Sequence, residues 1–375
     1  MDVYDKLGVT KVVNGAATLT RLGGSLMPPE VVAAMGEAAL HFVDIQELQE
    51  KVGQQIAEWT HNDAAYVSCG AAAGLALSAA ACIAGVDPDK RARLPYSEGM
   101  ANQVIVHKHN RVGYDFAVRQ AGAKLVEVGV DGPATAAELD AAITDQTAAI
   151  LYFYNVSRMG GLVPLETGIE IAHRHGVPVI VDAAAQIPPV ENLWRFTHMG
   201  ADLALFSGGK GLRGPQASGL ILGRADLLEA CAFHACPNAY IGRPMKVGKE
   251  EMVGLMTAVR WYLDLDHEAL AQLYEDQVQY AIETLDALPH VTARRSFPSE
   301  AGQPMPRAEI VLDEAALGLT ARDLLTRLRE GRPSVALQPA GRSGVYINPQ
   351  TLEPGQERIV VSRILECLNA DHPAG

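Results

Sequence analysis

Over roughly residues 60 to 225, short apolar runs alternate with amphipathic segments, and this rhythm constrains the fold more than any other feature of the chain. Val104–Val106, Lys124–Val128, Ala148–Tyr152, Pro178–Val181, Leu203–Phe206 and Gly219–Leu222 are strand-like in length and flanking residues. Between them Val112–Ala121, Thr135–Thr144, Glu166–His175 and Pro189–His198 carry helical patterning. Strand, helix, strand repetition predicts an α/β fold, with a mostly parallel central sheet covered by helices on both faces. Aromatic residues make up only 6%, so the core must be built from Ala, Val, Leu and Ile, which suits buried parallel strands and close-packed helices. On such a sheet ligands gather beyond the carboxyl ends of the strands.

Around Arg243–Lys249 the pattern changes. Two longer helical patterns, Glu250–Asp264 and His267–Leu288, precede a smaller mixed set: Val291–Arg294, Glu309–Leu312, Leu319–Arg329, Ser334–Leu337, Val345–Ile347 and Glu357–Leu368. The 375 residues suit two domains. The expected division is an N-terminal segment, 1–45, packing on the small domain or on a partner subunit, then a large domain, 46–249, and a small C-terminal α+β domain, 250–375. No Gly/Ser linker marks the boundary.

Thirty-one basic against 44 acidic residues give a net charge of −13, which disfavours nucleic acid and anionic membranes as partners. Five cysteines form an odd set in a chain too large to need stapling, so a reducing cytoplasm is expected. The first residues lack a basic region followed by an apolar run, and no apolar stretch approaches about 18 residues, so neither secretion nor membrane spanning is expected.

The densest chemical signal directly follows an apolar strand: Phe206-Ser207-Gly208-Gly209-Lys210-Gly211-Leu212-Arg213-Gly214-Pro215-Gln216. Five Gly or Pro in eleven residues mark a tight loop whose backbone can approach a ligand closely. It is not a Walker loop, because Gly211 rather than Ser or Thr follows the lysine and the glycine spacing fails. A desolvated lysine near other cations forms Schiff bases with carbonyls; the plain alternative is a solvated lysine beside Arg213. Earlier in the chain Val177–Val181 leads into Asp182-Ala183-Ala184-Ala185-Gln186. A carboxylate at the carboxyl end of a buried strand points into the ligand crevice and needs a cationic partner, unless it serves only as a helix cap. Upstream, Ser68-Cys69-Gly70-Ala71-Ala72-Ala73-Gly74-Leu75 opens an Ala-rich helix whose free backbone N–H groups suit a phosphate. Together the three signals fit pyridoxal 5'-phosphate (PLP). Its phosphate would sit at the helix start, its ring nitrogen at Asp182 with small Ala184 leaving room for the ring, and its aldehyde at Lys210.

The strings VDAAAQIPP, FSGGKGLRGPQASG and SCGAAAGL resemble the selenocysteine-synthase-like family of PLP-dependent fold-type I enzymes. VVNGAATLTRLGGSLMP, FVDIQELQEKVGQQIAEWT and GVYINPQTLEPGQERIVVSRI extend the likeness over nearly the whole chain, and it is closest to the branch named for D-glucosaminate-6-phosphate ammonia-lyase. The resemblance implies a large PLP-binding domain, with Lys210 as the Schiff-base lysine and Asp182 as the pyridinium partner. Cys69, Gly70 and Ala71 would meet the phosphate through backbone groups, with the Ser207 hydroxyl as a further ligand. Gln186 would approach the ring hydroxyl, and His107 or His109 would lie over the ring face. It also implies a homodimer or a higher homo-oligomer. The family's selenium transferases carry an added N-terminal region for tRNA, whereas here the shared motif starts within about a dozen residues of Met1; with the acidic total, this disfavours transfer to tRNA.

A PLP enzyme acting on an amine begins with proton removal at the α carbon by the freed lysine. The expected outcome is α,β-elimination from a β-hydroxy amino acid or amino-sugar acid, giving a keto acid and ammonia, with Lys210, His107 or His109 protonating the leaving hydroxyl. Racemisation or epimerisation, aldol cleavage and transamination share that beginning, and a non-catalytic PLP-fold binding protein is the alternative outside enzymes. Arg21, Arg243 and Arg342 are candidates for an anionic substrate group. No metal site is expected. His173-Arg174-His175 lies near a helix end, where cations complement the dipole, and Cys231-x-x-His234-x-Cys236 offers only three ligands.

Overall fold

The six apolar runs singled out above each form a strand in the computed structural model, which describes residues 2–369. Along the chain the strands are β1 (Val12–Asn14), β2 (Ala64–Ser68), β3 (Gln103–His107), β4 (Lys124–Val128), β5 (Thr147–Phe153), β6 (Val179–Asp182), β7 (Leu203–Ser207), β8 (Gly219–Gly223), β9 (Val291–Ser296), β10 (Arg307–Leu312), β11 (Ser334–Ala336), β12 (Gln338–Ala340) and β13 (Gly344–Ile347). Two compact units result. One comprises residues 27–264 with 301–303; the other comprises the described residues of 1–26, 265–300 and 304–375.

The first unit holds a seven-stranded sheet in the order β2-β8-β7-β6-β5-β3-β4. β4, β3, β5, β6 and β7 are mutually parallel, and β8 runs antiparallel to both β7 and β2. Every residue of β5, β6 and β8 is buried, as expected of strands covered on both faces. The helix Ala71–Ala84 is apolar on all sides, and eleven of its fourteen residues are buried. Gly74 lets it lie close to the sheet, since a Cβ there would stand 2.9 Å from Leu205 Cδ2 and 3.3 Å from Ile221 Cγ1. Because β8 reverses direction between them, β2 and β7 point the same way. The carboxyl ends of β2, β7, β6, β5 and β3 therefore share one edge.

The second unit has a four-stranded antiparallel sheet, β12-β13-β10-β9, and a parallel pair, β1 with β11. Helices His267–Leu285, Ala321–Glu330 and Gln356–Asn369 supply Val278, Ala281, Leu324, Leu328, Val360 and Ile364 to its core. The structure also adds elements that the apolar runs did not announce: β1, β2, β12 and the helices Pro29–Ala39, Ile45–Trp59 and Ala225–His234. The patterned stretch Val112–Ala121 is two pieces, a 3-10 turn at Gly113–Asp115 and a short helix at Phe116–Gln120.

Candidate active site

β6 ends in Asp182, held in the ladder between Phe153 of β5 and Leu205 of β7 and only 8% exposed. The Ala184 N–H donates to Asp182 Oδ1 at 3.0 Å, so a tight Asx-type turn fixes the carboxylate at the strand end. Burial pushes the carboxyl pKa up, while the Ala184 N–H and the Lys210 charge pull it down. The next strand is tied to the same turn: the Ser207 N–H donates to the Ala184 carbonyl at 3.2 Å. From Ser207 the loop carrying Lys210 departs, closed by Gly208 N–H to Ser218 O at 2.9 Å and Gly214 N–H to Gly208 O at 2.8 Å. A Cβ on Gly211 would stand 2.1 Å from the Ile187 carbonyl oxygen, so glycine there allows the lysine loop to lie against the chain leaving Asp182.

Lys210, Asp182, Ala184 and Gln186 line one cavity at the carboxyl edge of the sheet. Gln186 is 3% exposed and donates through Nε2 to the Ala301 carbonyl at 2.8 Å, which makes it a wall as well as a polar group. The opposite contributions come from the loops after β3 and β5: Asn110, Val112 and Tyr114 from the first, and Tyr154, Asn155 and Arg158 from the second. Asn110 fixes the two strand ends together. Its Nδ2 donates to Phe153 O at 2.8 Å and its Oδ1 accepts from Phe153 N–H at 2.9 Å.

Ser68, Gly219 and Ser207 form one row of pairing across β2, β8 and β7. Beyond Ser68 the chain turns at Gly70, with φ +98°, into the helix Ala71–Ala84, whose start carries no side-chain cap. A Cβ on Gly219 would stand 2.4 Å from Gly70 C and 2.6 Å from Ala71 N, so its absence seats the helix start on the sheet edge. Nothing lies within 4 Å of the Cβ position of Gly70, leaving open space beside uncapped N–H groups at a positive dipole end. Cys69 is half-buried, and burial raises its thiol pKa, so it stays a neutral side chain beside this backbone.

The histidines lie elsewhere. His107 is the last residue of β3 and is 1% exposed; its Nε2 accepts from Val163 N–H at 3.2 Å and its ring packs 4.8 Å from that of Tyr152. Burial lowers its pKa to about 4, so it is a neutral core residue. His109 is exposed on the 3-10 turn Lys108–Asn110. The cavity wall between β3 and the helix Phe116–Gln120 is made by Asn110, Val112 and Tyr114 instead, because the apolar strand runs one residue further than Val106 and takes His107 into the core. Arg243 is exposed, with Nη1 3.7 Å from Cys236 Sγ. Arg21, on the 3-10 turn Thr20–Leu22, and Arg342, in the turn between β12 and β13, belong to the other unit; there Arg21 borders a groove with Arg322 and Arg329. The two His/Cys motifs are engaged otherwise: His173 Nε2 lies 2.9 Å from Asp202 Oδ2, His175 Nε2 2.9 Å from Asp140 Oδ1, and His234 Nε2 2.9 Å from Gly85 O.

The aminotransferase class-V family matches residues 42–311, well over half of the chain. The chain belongs to that family. A D-glucosaminate-6-phosphate ammonia lyase from Salmonella typhimurium is 34% identical, over 100% of this chain and 99% of the relative. A 5'-C-glycyluridine monooxygenase-decarboxylase from a Streptomyces species is 36% identical, over 98% and 92%. A solved structure of D-glucosaminate-6-phosphate ammonia-lyase superposes with a TM-score of 0.87 at 32% identity, covering 99% of both chains. The selenium transferases are more distant: that of Solidesulfovibrio magneticus is 28% identical over 68% of this chain and 56% of its own.

The chain is a PLP enzyme of fold type I. Its residues fit the cofactor. An uncapped helix start with open space at Gly70 suits the phosphate, a buried carboxylate at Asp182 suits a protonated ring nitrogen, and a lysine in the same cavity suits the aldehyde. Asn110, Tyr114 and Arg158 are wall residues that motif reading passed over. The signal for Asn110 was its place in His107-Lys108-His109-Asn110-Arg111, and for Arg158 a cation shortly after the carboxyl end of an apolar strand.

Proposed function

We propose that the protein is a PLP-dependent ammonia-lyase that performs α,β-elimination on an amino-sugar acid or related β-hydroxy amino acid, giving a keto acid and ammonia. The observation that carries this reading is the meeting of Lys210 and Asp182 in one cavity, in a chain aligned end to end with an ammonia lyase. Bound PLP supplies an electron sink for the pair of electrons left when the α proton departs. The backbone N–H groups of Ala71 and its neighbours hold the phosphate, and Ser207 adds a hydroxyl at the same edge. Asp182 holds a proton on the ring nitrogen; its buried carboxylate gains most from a cation at that atom, because burial otherwise penalises its charge. Lys210 takes the proton from the α carbon. The leaving hydroxyl also needs a proton, and Lys210 is the group for this as well, since His107 is neutral in the core and His109 is exposed outside the cavity lining.

The acidic total supports small-molecule substrates over nucleic acid, and the five cysteines, all free, support a reducing cytoplasm. No described helix is long and apolar enough to cross a membrane. The family resemblance supports a homodimer or a higher homo-oligomer. Purified protein mixed with amino-sugar acids, their phosphates, and D- and L-β-hydroxy amino acids should release keto acid and ammonia in equal amounts from at least one of them. Lys210→Ala should lose both this activity and the visible absorption of lysine-bound PLP. Product without ammonia, or loss of optical rotation alone, would overturn the elimination reading.

A further inference from the structure

The cavity that holds Lys210 and Asp182 contains a second cation that the cofactor does not require. Arg158 closes the 3-10 turn Val156–Arg158 and lines the same cavity. The turn is built to hold its place: the Asn155 side chain caps it by accepting from Ser157 N–H at 3.0 Å, and the Arg158 N–H donates to Asn155 O at 2.8 Å. Gly302 closes against the same turn, where a Cβ would stand 2.8 Å from Asn155 Oδ1 and from Val156 N. The backbone is therefore fixed while the guanidinium makes no hydrogen bond or ion pair with another described residue. The other arginines near β3 contrast with this. Arg111 is paired with Asp115 and Glu127, and Arg119 with Asp115. No Asp or Glu other than Asp182 lines the cavity, and Asp182 answers to Lys210.

We infer that Arg158 is the subsite for an oxyanion of the substrate, a carboxylate or a phosphate, and so sets which amino acids the enzyme accepts. Arg158 is exposed at the cavity rim, and a planar guanidinium with five donors suits either group through paired hydrogen bonds. This inference rests on the proposed PLP chemistry for the identity of the neighbouring ligand, but not on elimination being the outcome.

Holoenzyme with bound PLP is titrated calorimetrically with inorganic phosphate and, separately, with acetate, for wild type, Arg158→Gln and Arg158→Lys. The cofactor's own phosphate already fills the helix-start site, so added anion reads the second subsite. Arg158→Gln should weaken binding of the preferred anion about tenfold or more, the effect of losing one charge-assisted pair, and Arg158→Lys should recover part of it. An unchanged visible spectrum of bound PLP in both variants shows that the cofactor site stands. Loss for phosphate alone assigns the subsite to a phosphorylated substrate; loss for acetate alone assigns it to a carboxylate. Equal binding by wild type and Arg158→Gln overturns the inference even where ammonia release is observed. Arg158-dependent binding without ammonia release overturns only the proposed reaction.

Discussion

At the scale of single residues, burial drives two ionisable groups toward their neutral forms by pKa shifts of opposite direction. Asp182 is buried with its charge opposed by burial, so in the cofactor-free protein it is a cost that the fold carries for function. Asp182→Asn keeps an oxygen to accept from Ala184 N–H and removes the buried charge. The cofactor-free variant should therefore melt no lower than wild type, while its PLP affinity falls at least about tenfold, the equivalent of one charged contact of about 1.4 kcal/mol. A lower melting point in the cofactor-free state would show that Asp182 is structural. His107 is neutral because burial lowers its pKa from 6.5 to about 4. Between those values the unfolded chain binds a proton that the folded one refuses, so stability is full above pH 6.5 and is lost as pH falls toward 4, by at most about 3 kcal/mol. Urea midpoints measured from pH 7 to pH 4 should fall less steeply in His107→Gln than in wild type; parallel slopes would remove His107 as a cause.

At the scale of elements, the lysine loop and the aspartate turn were legible in sequence because both follow fully apolar runs and carry unusual glycine or small-residue content. The edge strand β2 was not, since Ala64 and Ala65 carry no strand preference and are only partly buried, and it exists because β8 offers it an antiparallel ladder. Likewise the helix Ala71–Ala84 shows no amphipathic period, being buried on all sides, so only its start was marked. The histidine expectation depended on where β3 ends, a one-residue matter that pairing with β4 decides: His107 still pairs with Val128 and so belongs to the strand, although the ladder with β5 stops at Val106. Tertiary pairing thus places His107 in the strand, where local pattern left the strand end open. The row Ser68, Gly219, Ser207 gives a direct test. Gly219→Ala places a methyl against the Gly70 and Ala71 backbone, which has no flexible end to move aside. The variant should lose about 1–3 kcal/mol of stability by overpacking, and the displaced helix start should weaken PLP binding in fluorescence titration. Lost stability with unchanged PLP affinity would separate the helix start from the phosphate.

At the scale of the whole molecule, the same length of chain aligns over nearly its full extent with an ammonia lyase and with a monooxygenase-decarboxylase at similar identity. Sequences alike over nearly their full length therefore carry names for different reactions, and the outcome must be read from what the reaction consumes. Elimination of a β-hydroxyl is redox-neutral: the α proton and the hydroxyl leave, and hydrolysis of the dehydrated amine gives keto acid and ammonia with no oxidant. Oxygenation coupled to decarboxylation needs molecular oxygen and releases carbon dioxide. The proposed lyase should therefore release ammonia from an amino-sugar acid at the same rate in air and under strict exclusion of oxygen. No oxygen uptake should register on an electrode, and no labelled carbon dioxide should come from a substrate labelled in its carboxyl group. Oxygen-dependent turnover with label released as carbon dioxide would instead place the chain with the monooxygenase-decarboxylase. Lys210 and Asp182 would keep their roles in that case, because proton removal and electron withdrawal at the α carbon are distinct from what becomes of the electrons afterwards.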